Sequence, residues 1–167
     1  PVVIPPGPVT VELRDATFSY PGAESPVLRE VSLRAEPGTT TAIVGSTGSG
    51  KSVCMNAIIA GIMMNATPNE VRFVMVDPKR VELSSYSGIP HMAFSEVIVD
   101  MDKVVGVLQA VVGEMDSRYK KFASGAVRNL EAYNKHPRVM IKLPQWVIII
   151  DELADLMMAA PFEVEKL

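Results

Sequence analysis

The sequence predicts an α/β fold, in which a parallel sheet is preceded by an antiparallel β-hairpin. Two continuous apolar runs, residues 71–76 and 146–150, are typical of strands that are buried on both faces of a parallel sheet. A β-branched run at residues 39–44 ends at a glycine-rich loop, and a helix-like stretch at residues 51–65 follows that loop. Strands that alternate with helices in this way indicate one α/β domain, here expected over residues 9–167.

The N-terminal part of the chain predicts the hairpin. Residues 1–8 are rich in proline and are interpreted as a linker. Residues 9–14 and 31–36 alternate apolar and polar side chains, and the turn-rich residues 20–26 lie between them. This pattern is typical of two antiparallel strands with one face in solvent.

A long amphipathic helix is predicted between the two buried strands. Its apolar side chains recur every three or four residues, as they do on one face of an α-helix. They are Met101, Val104, Val105, Leu108, Val111, Val112, Met115, Tyr119 and Phe122.

Composition excludes several classes of protein. Hydrophobic residues make up 48% of the chain and its mean hydropathy is +0.22, so intrinsic disorder is not expected. No apolar run reaches the roughly 18 to 20 residues that span a bilayer, so no membrane segment is expected. Cys54 is the single cysteine, which rules out an internal disulfide and favours a reducing, cytoplasmic location.

A phosphate-binding motif stands between the strand at residues 39–44 and the helix behind it. The pattern G-x-x-x-x-G-K-[ST] is matched in full by Gly45, Ser46, Thr47, Gly48, Ser49, Gly50, Lys51 and Ser52. In such a loop, backbone N–H groups converge on a phosphate, the lysine reaches the β- and γ-phosphates, and the last hydroxyl binds Mg²⁺. The sequence therefore predicts ATP and Mg²⁺ as ligands, with Lys51 catalytic, Ser52 on the metal, and Val53 in the nucleotide-binding set. The alternative is a glycine-rich turn that matches by chance.

Asp151 and Glu152 follow the strand at residues 146–150 and could supply the second half of such a site. Asp151 is expected to hold Mg²⁺ through water, and Glu152 is expected to polarise the attacking water. The alternative is an acidic pair at a helix N-terminus, where the helix dipole favours negative charge.

Two further features each have two interpretations. Asp77, Lys79 and Arg80 follow the strand at residues 71–76, at the edge where ligands of open α/β sheets bind, but a polar strand-end turn accounts for them equally well. Tyr20 is either a packed aromatic residue at the end of the hairpin or a platform for a nucleotide base.

Positive charge is concentrated in residues 118–142. This stretch has seven basic residues and one acidic residue, a net charge of +6, so the remainder carries −9 and the whole chain −3. It could neutralise several phosphates of double-stranded DNA. The alternative is a solvated surface that balances the acidic remainder.

Short motifs spread through the chain carry a resemblance to a known family. They are residues 47–53, Asn56, 66–68, 71–73, 77–79, 81–83, Tyr86, 88–91, 114–115, 118–119, 128–130, 133–134 and 151–158. With them, the chain from about residue 47 onward resembles the motor domain of the FtsK/SpoIIIE family of double-stranded DNA translocases. The resemblance implies a P-loop NTPase with a RecA-like parallel sheet that acts on DNA as a ring-shaped homo-oligomer. The family's next core strand would lie beyond Leu167. We therefore expect either a shortened sheet, in which the strands ending at Val44 and Ile150 pair directly, or a fragment that relies on a partner chain.

The first 50 residues resemble a different family. Residues 11–22, 27–33 and 37–45 are similar to the start of an ABC-transporter ATPase domain, in which the aromatic residue at the position of Tyr20 stacks on adenine. The two resemblances meet inside the phosphate loop, which predicts a chimera of an ABC-like segment, residues 9–44, and an FtsK-like core, residues 45–167. No ABC signature motif, glutamine loop or switch histidine follows the phosphate loop.

The predicted function is therefore an ATP-binding and ATP-hydrolysing P-loop module that resembles a DNA translocase motor. The alternatives are an ABC-type nucleotide-binding domain and a chimeric protein that binds nucleotide with little turnover.

Overall fold

A computed structural model describes residues 10–45 and 48–165. The chain divides into two compact units, residues 1–66 and 67–167, and each is described by itself. The predicted linker, residues 1–8, lies outside the described residues, as do Ser46 and Thr47 of the phosphate loop. The single domain predicted over residues 9–167 stays a prediction.

The first unit contains the predicted antiparallel hairpin. β1 (Val11–Phe18) pairs with β2 (Leu28–Ala35) in an antiparallel ladder. The register shifts near Asp15 and near Glu30, which have φ angles of 47° and 48°. Side-chain hydroxyls on the opposite strand accept the N–H groups of both residues, so these irregularities leave no donor without a partner.

The prediction of a helix after the phosphate loop is confirmed, but the prediction of a strand before the loop is wrong. α1 is Lys51–Asn65, and its inner face buries Cys54, Ile59 and Ile62. Residues 39–44 form no strand, and the Val44 side chain is 90% exposed. β-branched residues favour a strand where a neighbouring strand pairs with them, and no described strand pairs with this segment. The expected pairing with the strand that ends at Ile150 needs a strand ending at Val44, and the structure forms no strand there.

The second unit is built around the predicted parallel sheet. β3 (Val71–Val76) pairs in parallel with β4 (Gln145–Ile150) over its whole length. On the other side of β3, two isolated parallel bridges join it to Met92 and Ile98. The five apolar side chains of β3 are fully buried, which explains why its sequence is an almost uninterrupted apolar run.

Helices cover this sheet and provide the rest of the core. The predicted amphipathic helix is confirmed as α2, and three shorter helices and a single 3₁₀ turn accompany it. Their bounds are Ser84–Tyr86 for the turn, Met101–Ser124 for α2, Leu130–Lys135 for α3, Leu153–Ala159 for α4 and Pro161–Glu165 for α5. Val104 of α2 and Leu156 of α4 pack on Val76 of β3 in one buried cluster. Within the described ranges, no helix is both long enough and apolar enough to cross a membrane.

Candidate functional site

In the described part of the phosphate loop, two glycines shape the backbone directly before α1. Gly48 and Gly50 have φ angles of 80° and 88°, a region that glycine enters without steric cost. Gly50 is the N-cap of α1, no side chain caps the helix, and its first turn has no acidic residue. The Cys54 N–H donates to the Gly50 carbonyl at 2.9 Å, so the N–H groups of residues 51–53 precede the helical hydrogen bonds. These groups and the positive end of the helix dipole suit an anion.

Lys51 folds back onto the loop that precedes it. Its Nζ donates a hydrogen bond of 2.6 Å to the Gly45 carbonyl. A Cβ atom added at Gly45 would collide with the Ser49 hydroxyl, so the loop is closely folded at this point. The ammonium group is thus held at the loop, where a phosphate oxygen could replace the carbonyl as its acceptor.

Replacing Gly50 by Ala is expected to destabilise the first unit. The new Cβ would lie 2.9 Å from Leu28 Cδ2 and 3.1 Å from the Val27 carbonyl oxygen. The left-handed backbone also costs a non-glycine residue about 1–2 kcal/mol. We therefore expect a lower free energy of unfolding, measured by urea titration. The matched control is Gly61→Ala within α1, where a Cβ meets nothing within 4 Å and is expected to stabilise the helix by up to ~1 kcal/mol. Equal changes in the free energy of unfolding for Gly50→Ala and Gly61→Ala would contradict the crowded, left-handed position of Gly50.

Tyr20 lies just beyond β1 and is partly packed. Its ring meets Phe18 edge to face, with ring centroids 5.1 Å apart and ring planes at 85°. The side chain is nevertheless 54% exposed. The hairpin contact agrees with the packing interpretation, and stacking on a base stays a prediction.

The carboxyl edge of the parallel sheet brings several charged side chains together in the second unit. Because β3 and β4 are parallel and in register, Asp77 and Asp151 follow them at the same edge. The Asp151 N–H continues the ladder by donating to the Val76 carbonyl at 3.0 Å. Burial raises the pKa of the Asp151 carboxyl, and the carboxylates of Asp77 and Glu82 raise it further. The folded chain therefore holds this proton more tightly than the unfolded chain, so the ionised carboxylate costs stability above that pKa.

Asp77 has a structural role that explains its position. It is fully buried, and its carboxylate accepts the N–H groups of Leu83 at 2.9 Å and Val81 at 3.3 Å. Its own N–H donates to the Ile98 carbonyl at 2.9 Å. These bonds agree with the interpretation of residues 77–80 as a polar strand-end turn.

Lys79 forms an ion pair at this edge. Its Nζ lies 3.0 Å from Asp155 Oδ2, and this contact, with weaker attraction from Glu152 and Asp151, raises the pKa of Lys79. Sequence reasoning did not single out Asp155, which lies in the first turn of α4, four residues after Asp151. In the part of the chain that the structure describes, no group of three or more His, Cys, Asp or Glu side chains is placed to hold a metal ion.

Glu152 is the N-cap of α4. Its Oε1 accepts the Ala154 N–H at 3.4 Å, a long and weak hydrogen bond. The helix-terminus interpretation of this residue is therefore realised in the structure. The orientation of an attacking water by Glu152 stays a prediction.

The basic stretch divides into paired and unpaired residues. Arg118 lies 2.7 Å from Glu114, donates to the Pro144 carbonyl at 2.6 Å, and stacks over Trp146 at 5.3 Å; its side chain is 13% exposed. It joins α2 to the segment before β4. Lys135 pairs with Glu131 at 2.5 Å. Across residues 10–45 and 48–165, no ion pair is formed by the other five basic residues, which are Lys120, Lys121, Arg128, Arg138 and Lys142.

Known proteins share much of this sequence. Proteins named DNA translocase FtsK, from Sporosarcina ureae and Clostridium acetobutylicum, are 48% and 51% identical to it over 135 and 126 residues. A protein named DNA translocase SpoIIIE, from Bacillus subtilis, is 47% identical over 131 residues. Each match covers 74% of this chain, and the chain spans 16–17% of the length of these relatives.

A family model described as FtsK/SpoIIIE family matches residues 23–167. This range begins inside the segment that the sequence analysis assigns to an ABC-type ATPase. Neither the family match nor the relatives support a fusion with such an ATPase or a chimera. With most of its residues matched, the chain belongs to the FtsK/SpoIIIE family.

Proposed function

We propose that this chain is an ATP-binding and ATP-hydrolysing module of a double-stranded DNA translocase motor. The observation that carries the proposal is a complete phosphate-loop motif at the start of α1, in a chain of which 74% aligns with proteins named DNA translocases at 48–51% identity. Because the chain spans a small part of those relatives, translocation and ring assembly are proposed for a larger protein or oligomer to which it contributes.

Each predicted site residue has a role in this proposal. Lys51 stabilises charge on the β- and γ-phosphates, while the N–H groups of residues 45–53 bind their oxygens and Tyr20 stacks on the base. Ser52 offers a hydroxyl and Asp151 a carboxylate, oxygen donors that suit a Mg²⁺ ion which keeps waters and phosphates as its other ligands. When bound, Mg²⁺ neutralises charge on the transferring phosphate. Glu152 orients the attacking water.

Asp151 is well suited to a cation. Its ionised carboxylate is partly buried and faces Asp77 and Glu82, with Lys79 as the opposing charge. A divalent ion next to it would offset the cost of that burial. Because the ionised Asp151 carboxylate costs stability, Asp151→Asn is expected to leave the fold intact while it removes a metal ligand.

The unpaired cations of residues 118–142 are the proposed DNA contacts. Lysine and arginine side chains that release counterions from DNA make binding strongly dependent on salt. Arg118 and Lys135 are excluded from this set because glutamates already pair with them.

The proposal is tested by measuring ATP hydrolysis with and without duplex DNA. We expect DNA to increase the rate, and we expect salt-sensitive DNA binding that is lost when Lys120, Lys121 and Arg128 are all replaced by Gln. The control is Lys103→Gln, an exposed lysine of α2 that lies 3.5 Å from Asp100. An ATP hydrolysis rate that duplex DNA does not change, together with no detectable DNA binding, would contradict the translocase assignment.

A further inference from the structure

We infer that a cleft at the C-terminal end of α2 binds one phosphate group of the DNA backbone, an inference that rests on the proposed function. The cleft has a volume of about 590 Å³ and is formed by the last turn of α2, the turn after it, and the end of α3 with the loop beyond. Lys121 and Arg138 line it, together with Ser124, Tyr133 and His136. No side chain that lines the cleft is acidic.

No carboxylate that the structure describes pairs with either cation of the cleft. Among the described residues, neither Lys121 nor Arg138 forms an ion pair, unlike Arg118 and Lys135, which pair with glutamates four residues away on their own helices. Lys121 is half-buried and Arg138 is exposed at the rim. A concave site that holds charges of one sign concentrates ions of the opposite sign.

The end of a helix carries partial negative charge, which would oppose an anion if its last carbonyls pointed freely into the cleft. Here the carbonyls of Lys121, Phe122 and Ala123 already accept hydrogen bonds. The donors are the N–H groups of Gly125, Ala126 and Val127 at 2.9–3.1 Å and the Ser124 hydroxyl at 2.9 Å. The turn that makes this possible holds Ala126 at a φ of 52°, a strained angle for a residue with a Cβ. The positive side chains therefore dominate the cleft.

Neutral donors add to the two cations. The His136 Nδ1 accepts the Arg138 N–H at 3.3 Å, so Nε2 is the ring nitrogen that is left to donate a hydrogen bond. Tyr133 adds a hydroxyl, and its ring is held against Phe122 with centroids 5.5 Å apart. Two cations with such donors can bind the two non-bridging oxygens of a phosphodiester and exceed its single negative charge.

The test is a double-mutant cycle on DNA affinity. Fluorescence anisotropy with a labelled duplex of about 20 base pairs would be recorded for the full chain, for Lys121→Gln, for Arg138→Gln and for the double variant. If both side chains hold one phosphate, each single change weakens binding several-fold and the double change weakens it little further. The slope of log affinity against log salt should fall by about one in all three variants. The matched pair Lys120→Gln and Arg128→Gln removes the same charge outside the cleft, and its two effects should multiply.

The possible outcomes separate failure of the phosphate-binding cleft from failure of the proposed function. Multiplying effects at Lys121 and Arg138, in a chain that binds DNA, would overturn the cleft and leave the proposed function standing. A wild-type chain that binds no DNA would overturn both. Amide NMR spectra should shift at Ala126 and His136 on addition of duplex DNA; a response to inorganic phosphate but not to DNA would make free phosphate the ligand and overturn the inference. Thermal unfolding at the wild-type temperature shows that each variant is folded.

Discussion

Replacing Lys51 by Ala is expected to abolish the stabilisation of this chain by Mg-ATP. A ligand that binds the native state raises the free energy of unfolding by about 2.7 kcal/mol when its concentration is 100 times its dissociation constant. For a chain of this size that is an increase of roughly 5–10 °C in the midpoint of thermal unfolding. The variant loses the charge-assisted hydrogen bonds to phosphate, so we expect no increase.

The same substitution should change the nucleotide-free protein little. The hydrogen bond that Lys51 makes with the Gly45 carbonyl is exposed to solvent, and exposed polar contacts contribute little to stability. A matched control is Lys103→Ala, which removes an exposed lysine of α2 and should keep the full response to Mg-ATP. An unchanged response in Lys51→Ala, by thermal unfolding and by calorimetric titration, would contradict the phosphate-loop assignment.

Some elements could be predicted from sequence because their pattern of apolar and glycine residues indicates both the backbone conformation and which faces are buried. β3 is apolar along nearly all of its length because it is covered on both faces, and a continuous apolar run describes that situation. α1 begins at Lys51 because the two left-handed glycines before it end the loop there. The apolar side chains of α2 recur every three or four residues, as the helical period requires. Asp100 caps its N-terminus, and the Asp100 carboxylate accepts the Asp102 N–H at 3.3 Å.

Residues 39–44 show what pattern alone does not contain. Their β-branched side chains state a preference, but a strand also needs a partner for its N–H and C=O groups, and that partner is not encoded within the segment. The basic stretch gives a similar lesson. Charge counting treated its seven cations alike, although the spacing of four residues from Glu114 to Arg118 and from Glu131 to Lys135 could have identified the two paired ones.

The role of Glu152 could not be resolved by sequence, because a carboxylate directly after a buried strand suits both interpretations. A helix cap and a general base differ in what the side chain does next, which only a substitution can separate. Glu152→Gln keeps a side-chain oxygen for the Ala154 N–H but removes the negative charge that a base needs. Glu152→Ala removes both.

We expect Glu152→Gln to bind Mg-ATP like the wild type and to lower the rate of hydrolysis by about 10²–10⁴-fold, the usual contribution of a positioned general base. Glu152→Ala should lose the same turnover and also up to about 1 kcal/mol of stability with the cap, at the low end because the bond is long. Rates are measured with duplex DNA present, and stability is measured by urea unfolding. A Gln variant as active as the wild type, beside an Ala variant that is merely less stable, would show that Glu152 only caps α4.

The rate of ATP hydrolysis by the wild-type chain decides which kinetic method can compare it with Glu152→Gln. An arginine supplied by a neighbouring subunit is commonly worth 10³–10⁵ in phosphoryl transfer, so a chain that lacks such a partner can hold ATP and turn it over slowly. Single-turnover measurements with enzyme in excess detect such slow hydrolysis, and the ratio between the wild type and Glu152→Gln is independent of the missing arginine if that group acts on the same step in both. A ratio of one under these conditions, together with Mg-ATP binding that depends on Lys51, would identify the chain as a nucleotide-binding module in which the carboxylate after β4 has a structural role.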